Sequence, residues 1–286
     1  MTHVELAVAV PAEAEDMVAV VLAACGTTGA WIPAPGDVRA YFRTPIPDLE
    51  RRFASHWRRV TGEEFAFPLH VRPVPDEDWL TGYRAAARPI RIGDRLWIAP
   101  PDFEPDAPEP GSVVRIEPGL GFGTGEHPTT RALLRWIHDA GPFHRALDVG
   151  TGSGVLALAA LAGGTGAAIG LDPDGFALEN AARNRDLNRA RGGLALVRGS
   201  LDALAPDARF DLVLANLDGP ALDRLLPALA GRVIPGGRLG VAGALGPDRT
   251  PLLERSRAAG LMLLDERLDP DPAPGDIWWS GWLGRA

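Results

Sequence analysis

From residue 111 to the end of the chain, strand-like and helix-like patterns alternate. Helical periodicity covers residues 153–163, 174–189, 219–231 and 247–259. The strand candidates, in chain order, are SVVRIE, RALDV, AAIGLD, LALVRG, FDLVLANL, RLGVAGAL and LMLLDERL. Such alternation predicts a mostly parallel sheet with helices on both faces and a ligand site at the carboxyl ends of the strands.

The last strand candidate, DIWWSGWLGR, differs from the others because no helix follows it. It comes directly after the Pro-rich segment DPDPAPG, which is long enough for a hairpin-like return. We therefore expect this strand to run antiparallel, at or near the edge of the sheet.

Residues 1–74 form a separate pattern with the order β-α-β-β-α-β, which predicts a ferredoxin-like α+β domain. This unit has no obvious catalytic residues and suits a recognition domain or a structural appendage. Residues 75–110 are predicted to be a linker, because PPDFEPDAPEPG is too rich in proline to pack. Within it, PDEDWLTGYRAAARP predicts a short helix and IRIGDRLWIAP a strand pair. The second domain is then 111–286.

The charged residues exclude several classes of function. All 29 basic residues are arginine, which excludes P-loop and Schiff-base chemistry because both need a lysine. The net charge is −8 and the arginines are scattered among acids, so we expect no direct nucleic-acid binding. Six scattered histidines and one cysteine offer no metal-ligand spacing, so no metal site is predicted.

The apolar residues and the single cysteine suggest a compartment. Cys25 lies in an apolar helical pattern without a partner cysteine, which predicts a core residue in a reducing cytoplasm. The first residues lack a basic signal-peptide region, and no apolar run reaches the ~20 residues of a membrane span. We expect a cytoplasmic monomer without a membrane interaction.

A glycine cluster follows the strand candidate RALDV. Asp148 lies near the end of the strand, and Gly150, Gly152 and Gly154 follow before a helical pattern begins. Glycines there let the backbone approach a nucleotide closely, although a tight turn without a ligand also uses them. Dinucleotide binders use G-x-G-x-x-G, whereas Val155 occupies the last glycine position here, which disfavours an NAD-dependent enzyme.

An acid ends the next strand candidate. The carboxylate of Asp172 can accept both hydroxyls of one ribose, and the alternative role of capping the next helix suits Asp174 better. The run DVGTGSG with this following acid resembles the first two motifs of the class I S-adenosylmethionine methyltransferases. The resemblance implies a Rossmann-like α/β domain with a mostly parallel seven-stranded sheet whose last strand is antiparallel, and S-adenosyl-L-methionine as cofactor.

A second glycine-rich loop, EPGLGFGTGEHPTT, precedes that motif at 117–130. With DEDWLTGYRAAARPIRIGDRLWIAP and FDLVLANL, it resembles the methyltransferases of ribosomal large-subunit protein eleven, the PrmA family. The similarity covers the linker and second domain in sequence, and the first 70 residues in architecture only. The resemblance implies cofactor contacts at Phe122, Thr124, Thr130, Gly150, Gly152, Asp172 and Asn216.

Several residues of this loop have more than one possible role. Its glycines allow it to fold over the cofactor as a lid, and HPTT opens a helix with Pro128 in the first turn. Thr129 or Thr130 can also act only as a helix cap. His127 can orient the loop, contact the cofactor or meet the substrate. Glu126 departs from the family, where threonine is common.

Asn216 is the candidate catalytic residue. It ends the buried strand candidate FDLVLANL, where its side-chain carbonyl can accept an amine N–H and aim the lone pair at a methyl group. Many amino-methyltransferases have N/D-P-P-Y/F here, with an aromatic wall, whereas this chain has Asn-Leu-Asp-Gly, as the PrmA family does. Asp218 is either a rim carboxylate for a cationic amine or a helix cap.

These features predict an S-adenosylmethionine-dependent protein N-methyltransferase. By resemblance, its substrate is ribosomal large-subunit protein eleven, methylated on lysine side chains, the α-amino group, or both. The alternatives are a methyltransferase acting on another protein or a small amine, and a non-catalytic cofactor-binding interaction protein. Loss of Asp172 or Asn216 would have favoured the last alternative, and both are present.

Overall fold

The computed structural model describes residues 3–11, 14–27, 29–43, 47–74, 88–104, 112–117, 125–271 and 276–285. The chain divides into two compact units, Met1–Ala86 and Ala87–Ala286. The helix predicted between residues 75 and 88 lies almost wholly outside the described residues. The predicted limits 1–74, 75–110 and 111–286 stay a prediction.

The first unit has the predicted β-α-β-β-α-β order. Its elements are β1 (His3–Ala9), α1 (Glu15–Cys25), β2 (Gly29–Ala34), β3 (Asp37–Arg43), α2 (Leu49–Thr61) and β4 (Leu69–Val74). The strands form an antiparallel sheet in the order β2-β3-β1-β4, which is the ferredoxin-like arrangement. Both helices pack on one face of it, where Leu6, Phe42 and Phe53 are fully buried. Cys25 belongs to this core, as predicted, and burial raises the pKa of its thiol.

The second unit contains the α/β pattern. Its elements are β5 (Ile90–Ile92), β6 (Leu96–Ala99), β7 (Ser112–Arg115), α3 (Pro128–Ala140), β8 (Arg145–Val149), α4 (Val155–Ala162), β9 (Ala167–Asp172), α5 (Gly175–Leu187), β10 (Leu194–Arg198), β11 (Phe210–Asn216), α6 (Gly219–Gly231), β12 (Val233–Leu245), α7 (Arg249–Ala258), β13 (Leu261–Pro270) and β14 (Ile277–Arg285). All the strand candidates of the sequence are therefore strands.

Seven of these strands form one sheet in the order β10-β9-β8-β11-β12-β14-β13. Strands β8 to β12 run parallel, and β14 runs antiparallel to both β12 and β13. Helices α3 and α4 cover one face, and α6 and α7 cover the other. The predicted Rossmann-like methyltransferase fold is confirmed.

One strand candidate lies elsewhere. Strand β7 pairs in parallel with β6, which pairs with β5, so these three strands make a separate small sheet. Ile92, Leu96 and Ile98 of this sheet are buried in the same core as α3 and α4. Residues 90–99, which the sequence placed in the linker, thus fold with the second unit because their apolar side chains complete its core.

Candidate functional site

The glycine cluster forms the turn between β8 and α4. Gly150, Gly152 and Gly154 have φ angles of +71°, +54° and +82°, values that favour glycine over residues with a side chain. A Cβ on Gly150 would lie 2.5 Å from Cδ2 of Leu217, so the loop after β11 packs directly on this turn. The turn therefore lies between β8 and β11, where the strand order reverses and open α/β sheets bind ligands.

Asp172 lies at the carboxyl end of β9, beside this turn. It is 8% exposed, and its Oδ2 accepts a hydrogen bond of 3.0 Å from the Gly152 N–H. Its Oδ1 accepts one of 2.9 Å from the Asp174 N–H. Each oxygen keeps acceptor capacity, because a carboxylate offers about four lone-pair sites. Helix α5 is capped by Asp174, whose Oδ1 accepts from the Phe176 N–H, so the helix-cap role falls to Asp174 as predicted.

Asp148 is a site residue that the sequence analysis did not select. Its carboxylate is 1% exposed, and Oδ2 accepts from the Thr151 hydroxyl at 2.7 Å and the Ala157 N–H at 3.3 Å. Oδ1 has no hydrogen-bond partner among the described residues. Burial, with a smaller contribution from the negative charge of Asp172, raises the pKa of Asp148 to about 6. The sequence signal that could have identified Asp148 is an acid near the end of an apolar strand, two residues before the first glycine of the turn.

Thr130 and Asn216 meet at the carboxyl end of β11. Thr130 lies in the first turn of α3 and is 2% exposed, and its Oγ1 accepts a 3.1 Å hydrogen bond from Nδ2 of Asn216. This contact joins the HPTT helix start to the end of β11. Because Nδ2 is bound to Thr130, the orientation of the Asn216 amide is fixed and its carbonyl oxygen is turned away from Thr130.

His127 caps helix α3. Its Nδ1 lies 2.7 Å from the Thr129 hydroxyl and accepts a hydrogen bond from the Thr129 N–H. The helix cap, one of the two possible roles of Thr129 and Thr130, is therefore supplied by His127. Partial burial lowers the pKa of His127 below its usual value, and the negative charge of Asp271 offsets this only in part. The lowered pKa favours the uncharged imidazole. Its ring packs edge-on against Trp278 of β14, with ring centroids 5.0 Å apart.

Comparisons with known proteins agree with this geometry. The family model described as ribosomal protein L11 methyltransferase (PrmA) matches residues 2–265. The chain belongs to the PrmA family. The match begins at residue 2, so it includes the first unit, for which the sequence analysis found similarity in architecture alone.

Individual PrmA relatives support the assignment. A protein of Geobacter sulfurreducens named ribosomal protein L11 methyltransferase is 42% identical over 79% of this chain and 76% of its own length. One of Ralstonia nicotianae with the same name is also 42% identical, over 61% of this chain and only 57% of its own length. The crystal structure of a ribosomal protein L11 methylase from Lactobacillus delbrueckii subsp. bulgaricus has 27% sequence identity and a TM-score of 0.61, covering 69% of this chain and 98% of that one.

The PrmA motif after β11 is shaped by a glycine that the sequence analysis missed. Gly243 lies at a bulge in β12 with a φ of +97°. A Cβ there would lie 2.4 Å from the Leu217 carbonyl oxygen and 3.1 Å from Oδ1 of Asn216. Only a glycine therefore leaves room for the Asn216 amide. An isolated glycine in a strand pattern was the available signal, because it often marks a bulge.

The structure describes some of the remaining candidate residues of the PrmA-like motifs and not others. Asp218 caps α6, since its Oδ1 accepts a 2.7 Å hydrogen bond from the Ala221 N–H, which is the second of its two expected roles. Glu126 is exposed. Phe122 and Thr124 lie outside the described residues. Cofactor contact by Thr130, Gly150, Gly152, Asp172 and Asn216 stays a prediction.

No group of three or more His, Cys, Asp or Glu side chains is arranged to hold a metal ion in the part of the chain that is described. Among the helices of the same ranges, none is long and apolar enough to cross a membrane.

Proposed function

We propose that this chain is an S-adenosylmethionine-dependent protein N-methyltransferase that acts on ribosomal protein L11, at lysine side chains, the α-amino group, or both. The observation that carries the proposal is the Thr130–Asn216 hydrogen bond of 3.1 Å. It fixes an amide at the strand end next to the glycine turn, and membership of the PrmA family supports the substrate.

The residues around the glycine turn suit S-adenosylmethionine. Asp172 has acceptor capacity for ribose hydroxyls and is already bonded to Gly152. Oδ1 of Asp148 is buried without a partner among the described residues, and its cost of ionisation would fall beside the ammonium group of the cofactor. When bound, the cofactor supplies a methyl group on a positively charged sulfur. Thr130, Gly150, Gly152, Asp172 and Asn216 would hold it.

Asn216 positions the amine. Its carbonyl oxygen, turned away from Thr130, would accept an N–H of the neutral amine, which aims the nitrogen lone pair at the methyl carbon. Transfer of the methyl group would form an N–C bond to the amine in place of the C–S bond of the donor, and the surplus proton would pass to solvent. Burial lowers the pKa of His127, which disfavours a positive charge next to the amine site.

The two-unit organisation suits a large substrate. We assign recognition of the protein substrate to residues 1–74, a linking role to 75–110, of which β5 and β6 pack on the second unit, and methyl transfer to 111–286. A ribosomal target and the buried single Cys25 favour a cytoplasmic enzyme, which we propose to be a monomer that binds neither nucleic acid nor membrane.

Transfer of labelled methyl groups from S-adenosylmethionine to purified L11 tests the proposal, with the products mapped by mass spectrometry. We expect Asn216→Ala to lower kcat by at least about 100-fold, measured at saturating S-adenosylmethionine. Asp218→Asn is the matched control, because asparagine caps a helix as well as aspartate does and Asp218 lies two residues away.

Three outcomes separate the alternatives. Methylation that Asn216→Ala abolishes and Asp218→Asn preserves supports both substrate and site. Cofactor binding without transfer to L11 overturns the ribosomal substrate. Transfer to another protein or a small amine in a total lysate then supports the second alternative, and transfer to nothing supports the non-catalytic one. Absence of cofactor binding by the wild type overturns the enzyme assignment itself.

A further inference from the structure

One face of the sheet carries a row of side chains from the proposed site toward β14. Asn216 pairs with Ala242 of β12, and Ala242 pairs with Ser280 of β14. Ala242 packs in the core beneath α3, and so does Trp282, which follows Ser280 by two positions on β14. Asn216 and Ser280 therefore face α3, about 10 Å apart, which is two strand spacings.

Ser280 has an unusual environment for a serine. It is 1% exposed, and its hydroxyl oxygen has no hydrogen-bond partner among the described residues. Buried hydroxyls normally have a partner, so this polar atom suits a site that takes a polar ligand.

Helix α3 runs along β14 above this row. At its carboxyl end, the Trp136 ring stacks on Trp282 with centroids 5.7 Å apart. At its amino end, His127 packs on Trp278 with centroids 5.0 Å apart. Trp278 precedes Ser280 by two positions, so it lies on the same face, nearer the edge where the parallel strands end.

Two contacts then place Trp278 beside the proposed amine site. Thr130, in the first turn of α3, is bonded to Asn216. His127, which caps the same turn, packs on Trp278. The indole is held in place because its Nε1 donates a hydrogen bond to Oδ2 of Asp271. The half-buried ring therefore combines an aromatic face with a neighbouring carboxylate.

We infer that Trp278 is the aromatic wall of the amine pocket, replacing the aromatic residue that the Asn-Leu-Asp-Gly sequence after β11 lacks, and that it binds the methylated ammonium. This inference rests on the proposed function. A methylated ammonium is attracted to an aromatic face, and tryptophan gives the strongest attraction. Each added methyl group makes the substrate more apolar while a positive charge is kept. The wall thus favours retention of partly methylated product for a further transfer.

Kinetics and product analysis of variants test the wall. For Trp278→Leu we expect a KM for L11 raised about 2- to 30-fold, a smaller change in kcat, and a shift from higher to lower methylation states. Trp278→Phe should restore most of the loss, since it keeps an aromatic face. Trp97→Phe is the control, because Trp97 lies on β6 in the small sheet and packs on Phe103. Unchanged KM and product distribution in Trp278→Leu would overturn the inference.

A binding experiment keeps the test independent of L11 and of variant folding. The wild-type full chain, saturated with S-adenosylhomocysteine, is labelled with ¹⁵N in its indoles and titrated with Nα-acetyl-trimethyllysine amide. The Trp278 signal is assigned by its absence in Trp278→Phe. We expect this signal to shift with the trimethyllysine amide and to shift much less with its neutral tert-butyl isostere. If it responds to neither compound, Trp278 is not the wall, even when L11 is methylated. If it responds but L11 is not methylated, the wall stands and the substrate proposal fails.

Discussion

Replacement of Asp148 by asparagine should abolish a large pH dependence of stability. The pKa of Asp148 is raised from its ordinary value of 3.8 to about 6 in the fold, mainly by burial. The folded chain therefore binds more protons than the unfolded chain between these values, and its stability falls as pH rises through this window. At about 1.4 kcal/mol for each tenfold change in proton affinity, the loss is about 3 kcal/mol and is complete above pH ~7. Asp148→Asn stays neutral and avoids it.

The measurement is urea unfolding of wild type and Asp148→Asn between pH 4 and 8, without cofactor. We expect the stability difference to move in favour of the variant by about 2.5 kcal/mol between pH 4 and pH 7 and to stay constant above that. Gly236→Ala is the control: it changes no ionisable group and meets nothing within 4 Å, so its stability difference from wild type should not vary with pH. Parallel pH profiles for wild type and Asp148→Asn would refute the assignment of a buried, ionisable carboxylate.

Three further predictions concern other parts of the fold. Gly243→Ala should destabilise the chain by about 1–3 kcal/mol in urea unfolding and should lower kcat, because a Cβ there strains the backbone against the loop after β11. Gly236→Ala is its control: with φ +78° and nothing within 4 Å of its Cβ, it should cost only about 1 kcal/mol of stability and should not change kcat. Thr130→Val should lower kcat about 10- to 100-fold by freeing the Asn216 amide, and Thr130→Ser should restore it; equal rates for both would contradict this role. Burial raises the pKa of Glu5, but hydrogen bonds from an arginine and a tyrosine lower it overall. The stability that Glu5 adds is therefore present above its ordinary pKa of 4.5 and is lost as pH falls through its lower folded value. In urea unfolding, Glu5→Gln should reduce this loss of stability at acid pH.

The sequence was sufficient to predict the helices, the strands and the class of the main sheet. Strands such as β8 and β11 are apolar runs bounded by polar residues, and local periodicity alone identifies them. Periodicity does not say which strand is the neighbour of which. Strand β7 was therefore grouped with the main sheet, although its hydrogen bonds go to β6.

For the candidate site too, the sequence identified individual residues but not the contacts between them. Motif resemblance selected Asn216 and Thr130 one by one, but their hydrogen bond joins residues 86 positions apart and no local pattern encodes it. His127 was left with three roles because its cap depends on local geometry and its ring contact depends on Trp278, far along the chain. Asp148 was passed over because its distinguishing property is an unpartnered, buried oxygen, which only the packed fold defines.

The position of β14 explains why an aromatic residue from the end of the chain can serve a site built by the middle of it. Parallel strands β8, β9 and β11 all finish at one edge of the sheet, where Asp148, Asp172 and Asn216 lie. Because β14 runs antiparallel to β12, it begins at that same edge, and its second residue is Trp278. A parallel strand in this place would present its last residues there instead. The reversed strand thus brings an indole toward the proposed amine site without any aromatic residue in the loop after β11, where Leu217 packs on the glycine turn.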